Sequence, residues 1–165
     1  MAENIKMSVD LKALEELTRR YPEASAKATR SRLTEGLLLL EAAVKRLTPE
    51  GAGPIHIRDT IFQEVSLRGE SFWGLVGTPA IYGESLEYGT KPHFPPIAPI
   101  KFWVEKKLGL SGKEAQSAAF CIARAISKRG TKARNMFGLG FEQNEDRVLA
   151  ILEQIPGDIV QAVSA

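Results

Sequence analysis

The sequence has 165 residues, 44% hydrophobic and 25% charged, with a formal net charge of +2, the make-up of an ordinary globular domain. That excludes a disordered tail and a membrane-embedded chain, and so small a charge excludes a whole-chain commitment to nucleic acid or to an anionic surface. One cysteine, Cys121, and two histidines, His56 and His93, leave no internal disulfide and no thiolate zinc cage, which needs several sulfur ligands.

The first ten residues hold no apolar run of signal-peptide length, so a cytosolic product is expected. Ser8 or Asp10 can cap a first helix with Leu11, Leu14 and Leu17 at three-residue spacing. Pro22 suits the first position of a second helix, along which Leu33, Leu37, Leu40, Val44 and Leu47 follow one helical stripe. Two prolines and two glycines between Thr48 and Pro54 stop it. Ile55, Ile57, Ile61, Val65 and Leu67 then alternate with Arg58, Thr60, Glu64 and Ser66, a period of two that predicts a strand. Arg68 to Ser71 supply a turn, and Phe72 to Gly77 the returning partner of a β-hairpin.

Ala80 to Leu86 fit a short helix. Four prolines lie among the nine residues from Lys91 to Pro99, which predicts a stiff, extended loop carrying His93 and Phe94. Ile100, Trp103, Val104 and Leu108 repeat at helical spacing up to Gly109. Ser111 and Glu114 form a candidate capping box for a helix lined by Ala115, Ala118, Ala119, Ile122 and Ile126, with Gly130 as its C-cap. Cys121, lying among these residues, reads as a small buried thiol. A final helix from about Asn144 is broken or kinked at Pro156-Gly157. The expected fold is therefore α+β: one domain over 1–165, in which a small hairpin-based antiparallel sheet (55–100) packs with N-terminal helices (1–48) and two to three C-terminal helices (101–165).

Charge is distributed unevenly. Residues 101–134 carry +7, residues 135–165 carry −4, and the first hundred carry −1. Lys128, Arg129, Lys132 and Arg134 are the densest cations. They are candidates for contact with phosphate or with an acidic protein surface, although Lys128 and Arg129 also suit a helix C-terminus. A basic edge and an acidic one on the same chain point to self-association. The alternative is a small DNA-binding protein using the basic segment 124–134 together with Lys101, Lys106 and Lys107.

No Gly-rich phosphate loop, GxSxG or HExxH is present. A hydrolase built on His93 and Glu87 would lack a nucleophile and a third orienting group. No enzyme activity, catalytic residue, cofactor, metal or small-molecule substrate is expected.

Several segments together resemble a known family. They are the long N-terminal helix with its Pro/Gly stop, Ile57-Arg58-Asp59-Thr60-Ile61, and Tyr82 with Leu86-Glu87-Tyr88-Gly89-Thr90. Pro92-His93-Phe94-Pro95-Pro96, Ala123 to Ile126, Arg129 to Ala133 and Met136-Phe137 complete the set. Over about residues 25–150 they resemble the head-tail joining or tail-completion proteins of tailed bacteriophages, small neck or minor tail components. The approach to the first strand departs from that family, with Glu50-Gly51-Ala52-Gly53-Pro54 after Thr48-Pro49. The resemblance implies a helix-flanked small sheet and a structural role in a ring of subunits at the head-proximal end of the tail. It also implies assembly in the host cytoplasm, a final location in the virion, and other neck and tail proteins as partners, with DNA in the channel as a possible contact. The candidate interaction residues are Glu87, Tyr88, Gly89, Thr90, His93, Phe94, Lys128, Arg129, Lys132 and Arg134, with Tyr88 and Phe94 as aromatic anchors.

Overall fold

A computed structural model describes residues 12–52 and 56–164. The architecture is α+β: a long helix packed against a two-stranded antiparallel hairpin, with several helices C-terminal to it. Among the described residues the chain divides into two compact units, one of residues 12–40, 63–76 and 144–164, the other of residues 41–52, 56–62 and 77–143.

In the first unit, α1 (Lys12–Arg20) meets α2 (Pro22–Leu47) at Tyr21. Pro22 has no amide proton to lose there, as its position predicts. The expected caps Ser8 and Asp10, and Leu11, lie outside the described residues. The stripe on α2 is real: Leu37, Leu40 and Val44 are buried, the last two turns of it belonging to the other unit. Strands β1 (Phe62–Arg68) and β2 (Ser71–Gly77) form the hairpin, turning at Gly69-Glu70. Phe72 lies under the guanidinium of Arg30, and a side chain at Gly74 would run into Leu33 and Leu37, so these alternate residues of β2 face α2. Trp73 and Leu75 point the other way and are about half exposed.

Two further helices of this unit, the eighth and ninth in chain order, run over Glu145–Leu152 and Ile155–Ser164. They start where the Asn144 and Pro156-Gly157 signals place a start and a break. Ile155 and Ile159 are buried with Ala28 of α2, against Leu14, Leu17, Tyr21, Ala24 and Leu152. Arg32 clamps this packing from α2 by a two-pronged bond to Asp158, with Nε to Oδ2 at 2.6 Å and Nη2 to Oδ1 at 2.9 Å.

The guanidinium's hydrogen bonds hold the Asp158 carboxyl below the ordinary carboxylate range, outweighing partial desolvation. The unfolded chain thus binds that proton more tightly than the folded one. The clamp's contribution is complete above about pH 4 and is lost as pH falls through the lowered value. Denaturation midpoints measured from pH 6 to pH 2 should fall less steeply on the acid side for Asp158→Asn than for the parent chain.

In the second unit, the residues read as the start of the first strand instead make one helical turn, α3 (Ile57–Thr60). The Thr60 hydroxyl donates to the Ile57 carbonyl at 2.8 Å and closes the turn. Ile57 and Ile61 are both buried, because a spacing of four satisfies one turn of helix as well as it satisfies a strand. The short helix expected at Ala80 to Leu86 is α4 (Gly83–Tyr88). Beyond it come α5 (Ile97–Leu108), α6 (Gly112–Arg129) and α7 (Met136–Glu142), and the two C-terminal helices of the first unit are α8 and α9. Pro99, expected in the extended loop, falls instead in the first turn of α5, where a missing amide proton costs no hydrogen bond.

Helices α5 and α6 pack on each other across the short connection 109–111. Ala115, Ala119 and Ala123 are wholly buried at four-residue spacing, and so is Val104 of α5; small side chains on that stripe let the two backbones approach. Two expectations fail here. Ser111 occupies the N-cap in extended conformation but its side chain makes no cap bond. Cys121 is exposed, since two residues beyond Ala119 an α-helix has turned about 200°.

Candidate interaction surface

Two segments singled out in the sequence, 87–90 and 130–134, meet in the second unit. Thr90 and Thr131 exchange backbone hydrogen bonds in an antiparallel bridge, each 3.2 Å, and their hydroxyls lie 3.0 Å apart. The contact continues along both chains. The amide of Arg134 donates to the Leu86 carbonyl at 2.7 Å and that of Asn135 to the Glu87 carbonyl at 3.0 Å.

Glu87 completes the junction. Its side chain is buried, and one carboxylate oxygen accepts from the Phe137 amide at 2.9 Å while the other accepts from Gly138 at 3.0 Å. These amides belong to the first turn of α7. Asn135, the residue at the N-cap, has left-handed backbone (φ 49°) and makes no side-chain cap bond. A carboxylate 50 residues earlier therefore caps this helix and meets the positive end of its dipole.

Both glycines of the junction are required by the backbone. Gly89 (φ 73°, ψ −174°) and Gly130 (φ 70°, ψ −161°) occupy a region essentially reserved for glycine. A Cβ on Gly89 would strike the Thr131 carbonyl oxygen and the Ala133 nitrogen, and one on Gly130 the Thr90 carbonyl. Gly130 also ends α6, its amide donating to the Ile126 carbonyl at 2.8 Å, as its C-cap assignment predicts.

Around this clasp the other candidate residues are presented outward. Tyr88 is 55% exposed and Phe94 54%, which favours surface roles for these rings over burial in the core. Phe94 is nevertheless held: its ring packs at a tilt on Phe120 of α6, centroids 6.1 Å apart. His93 is exposed, its Nδ1 3.0 Å from the Lys91 carbonyl. Lys128, Arg129, Lys132 and Arg134 are all exposed. None of them makes an ion pair among the described residues.

Along α6, Cys121, Arg124, Ala125, Lys128 and Arg129 line a shallow, open cleft of about 370 Å³. Sequence reasoning assigned no role to Phe120. The available signal was its place one residue beyond Ala119, which turns it off the buried alanine stripe and toward the surface. Ile81, 98% exposed in the turn before α4, went unremarked as well.

A second, smaller cleft of about 200 Å³ is lined by Glu50, His56, Arg58 and Asp59. Arg58 donates to the Thr48 carbonyl at 3.3 Å, and both Arg58 and Lys107 lie within 4 Å of the Glu50 carboxylate. Among the described residues, no three His, Cys, Asp or Glu side chains are grouped as a metal site would need, and no helix is long and apolar enough to cross a membrane. Comparison with protein-family models, with curated proteins and with solved structures finds no match.

Proposed function

We propose that the chain is a structural assembly protein of a tailed bacteriophage or prophage, a subunit of an oligomeric ring at the head-tail junction that serves tail completion or head-tail joining. The observation that carries this reading is the clasp. The segments by which the sequence resembles that family, Glu87 to Thr90 and Arg129 to Ala133, are adjoining parts of one structure. Family resemblance lies on residues that hold a surface in place, with Glu87 engaged through both oxygens in capping α7.

A ring of identical subunits needs two different, complementary patches on each copy. Segments already ordered lose little entropy on docking. Tyr88 and Phe94 are half-exposed aromatic side chains on such segments, of the residue types that dominate interface energies. The partners in this reading are further copies of the chain, neighbouring neck and tail proteins, and DNA passing through the channel. The protein would be made in the host cytoplasm and reside in the virion.

Negative-stain electron microscopy together with native mass measurement tests the proposal. A closed ring of fixed subunit number is expected, and a monomer at every concentration and at low salt would remove it. Phe94→Ala should weaken assembly while leaving the denaturation midpoint nearly unchanged; loss of neither assembly nor stability ends the anchor role of this ring. The cations on and after α6, without ion-pair partners among the described residues, favour one other reading, a small DNA-binding protein. Its signature is duplex affinity that falls steeply with salt, and absence of binding at low salt excludes it.

A further inference from the structure

Resting on the ring reading, we propose that the exposed basic stripe of α6 is the docking face for α8 of the next copy of the same chain. The stripe runs from Cys121 to Arg129, nine residues or about 12 Å of helix. Arg124, Lys128 and Arg129 line its cleft with Ala125 between them and Cys121 one turn before Arg124, and Phe120, backed by Phe94, stands half-exposed beside it. No acidic side chain lines that cleft, and none of the three cations has an ion-pair partner among the described residues.

The occupant is indicated by charge. From Glu145 to Glu153, α8 and its C-cap, the chain offers a second stretch of nine residues, with Glu145 and Asp146 at one end, Glu153 at the other and partly exposed Leu149 between. All three acids are exposed and take part in no ion pair among the described residues. Arg124 and Lys128 flank Ala125 as Glu145 and Glu153 flank Leu149, and Leu149 matches the small apolar floor made by Cys121 and Ala125. A DNA duplex would satisfy the charges of the stripe but, with its bases stacked on one another, not its apolar floor or its aromatic flank. The two faces differ, so each copy can give one and accept the other, the head-to-tail contact from which rings are built.

Paired charge reversals test this. Arg124→Glu with Lys128→Glu makes both faces acidic; Asp146→Lys with Glu153→Lys makes both basic. Sedimentation and native mass measurement are applied to the full-length parent, to each variant and to their equimolar mixture, with denaturation midpoints confirming that each folds. Each variant alone should lose self-association at least ~100-fold, because like charges then face each other. The mixture should recover it, in assemblies where the two variants alternate. Variants that associate like the parent, or a mixture of folded variants that does not recover, overturn the inference while leaving the ring reading standing. A parent that is monomeric throughout removes the ring reading itself. Should the α6 variant still assemble but lose salt-sensitive binding to duplex DNA, the stripe is a nucleic-acid surface and the docking assignment is wrong.

Discussion

Replacing Gly130 or Gly89 by alanine should destabilise the second unit by at least ~3 kcal/mol, a large share of the 5 to 15 kcal/mol that holds a typical domain together. Two costs combine. Backbone in this region costs a residue with a Cβ about 1 to 3 kcal/mol. The added methyl would also meet backbone: the Thr90 carbonyl from Gly130, and the Thr131 oxygen and Ala133 nitrogen from Gly89. No side-chain rotation relieves such an overlap, so the bridge between Thr90 and Thr131 must open. Urea denaturation measures the loss. Gly157→Ala is the control: Gly157 lies within α9 with open space around the position of its Cβ. That substitution should leave stability unchanged or raise it by up to ~1 kcal/mol. Equal midpoints for the parent and Gly130→Ala would mean that the clasp is not a tight backbone contact.

Removal of the Glu87 carboxylate should have an effect of similar size, with a more local signature. Glu87→Ala leaves the amides of Phe137 and Gly138 without their acceptors in a part-buried position, and hydrogen bonds to a charged group contribute about 1.5 to 3 kcal/mol each net of water. The expected loss is about 3 kcal/mol. Glu87→Gln keeps one oxygen acceptor but turns an NH2 group toward the other amide, so it should recover only part of that loss. Hydrogen exchange locates the damage: in Glu87→Ala the amides of Phe137 and Gly138 should lose protection before those in the buried part of α6. Unchanged exchange at these two positions would show that the first turn of α7 does not depend on Glu87.

The sequence made some of this legible and concealed the rest for physical reasons. The stripe on α2 could be read because Leu37, Leu40 and Val44 bury one face of a long helix, so the period repeats often enough to be unambiguous. The hairpin was equally plain in its returning strand. Ile57 to Ile61 misled because a single turn of helix offers only one repeat, and that repeat coincides with two steps of a strand. Cys121 misled because sequence neighbours are not face neighbours on a helix; its apolar companions turn inward while it turns out. Helix α7 was invisible for a third reason. Its sequence MFGLGFE carries two glycines, poor helix formers, and its cap is Glu87, which no local window contains.

The candidate site divides along the same line. Glu87 to Thr90 and the cations of 128–134 were identified as separate motifs, and nothing in either segment names the other as its partner. The reciprocal need of Gly89 and Gly130 for the same sparsely populated backbone is a property of the pair, visible only once they lie against each other.

The bridge between Thr90 and Thr131 closes a loop of the chain, with partners 41 positions apart. Everything between them, the proline-rich segment and the α5–α6 pair, leaves and re-enters the fold at a single doorway, and the two helices pack chiefly on each other. Such an excursion is a cassette. Insertions at the 109–111 connection, or replacement of the whole helical pair by one of different length, need not move Glu87 or α7, because the doorway is fixed by backbone contacts outside the cassette. The surface proposed to face a partner can therefore be rewritten while the frame that presents it stays the same.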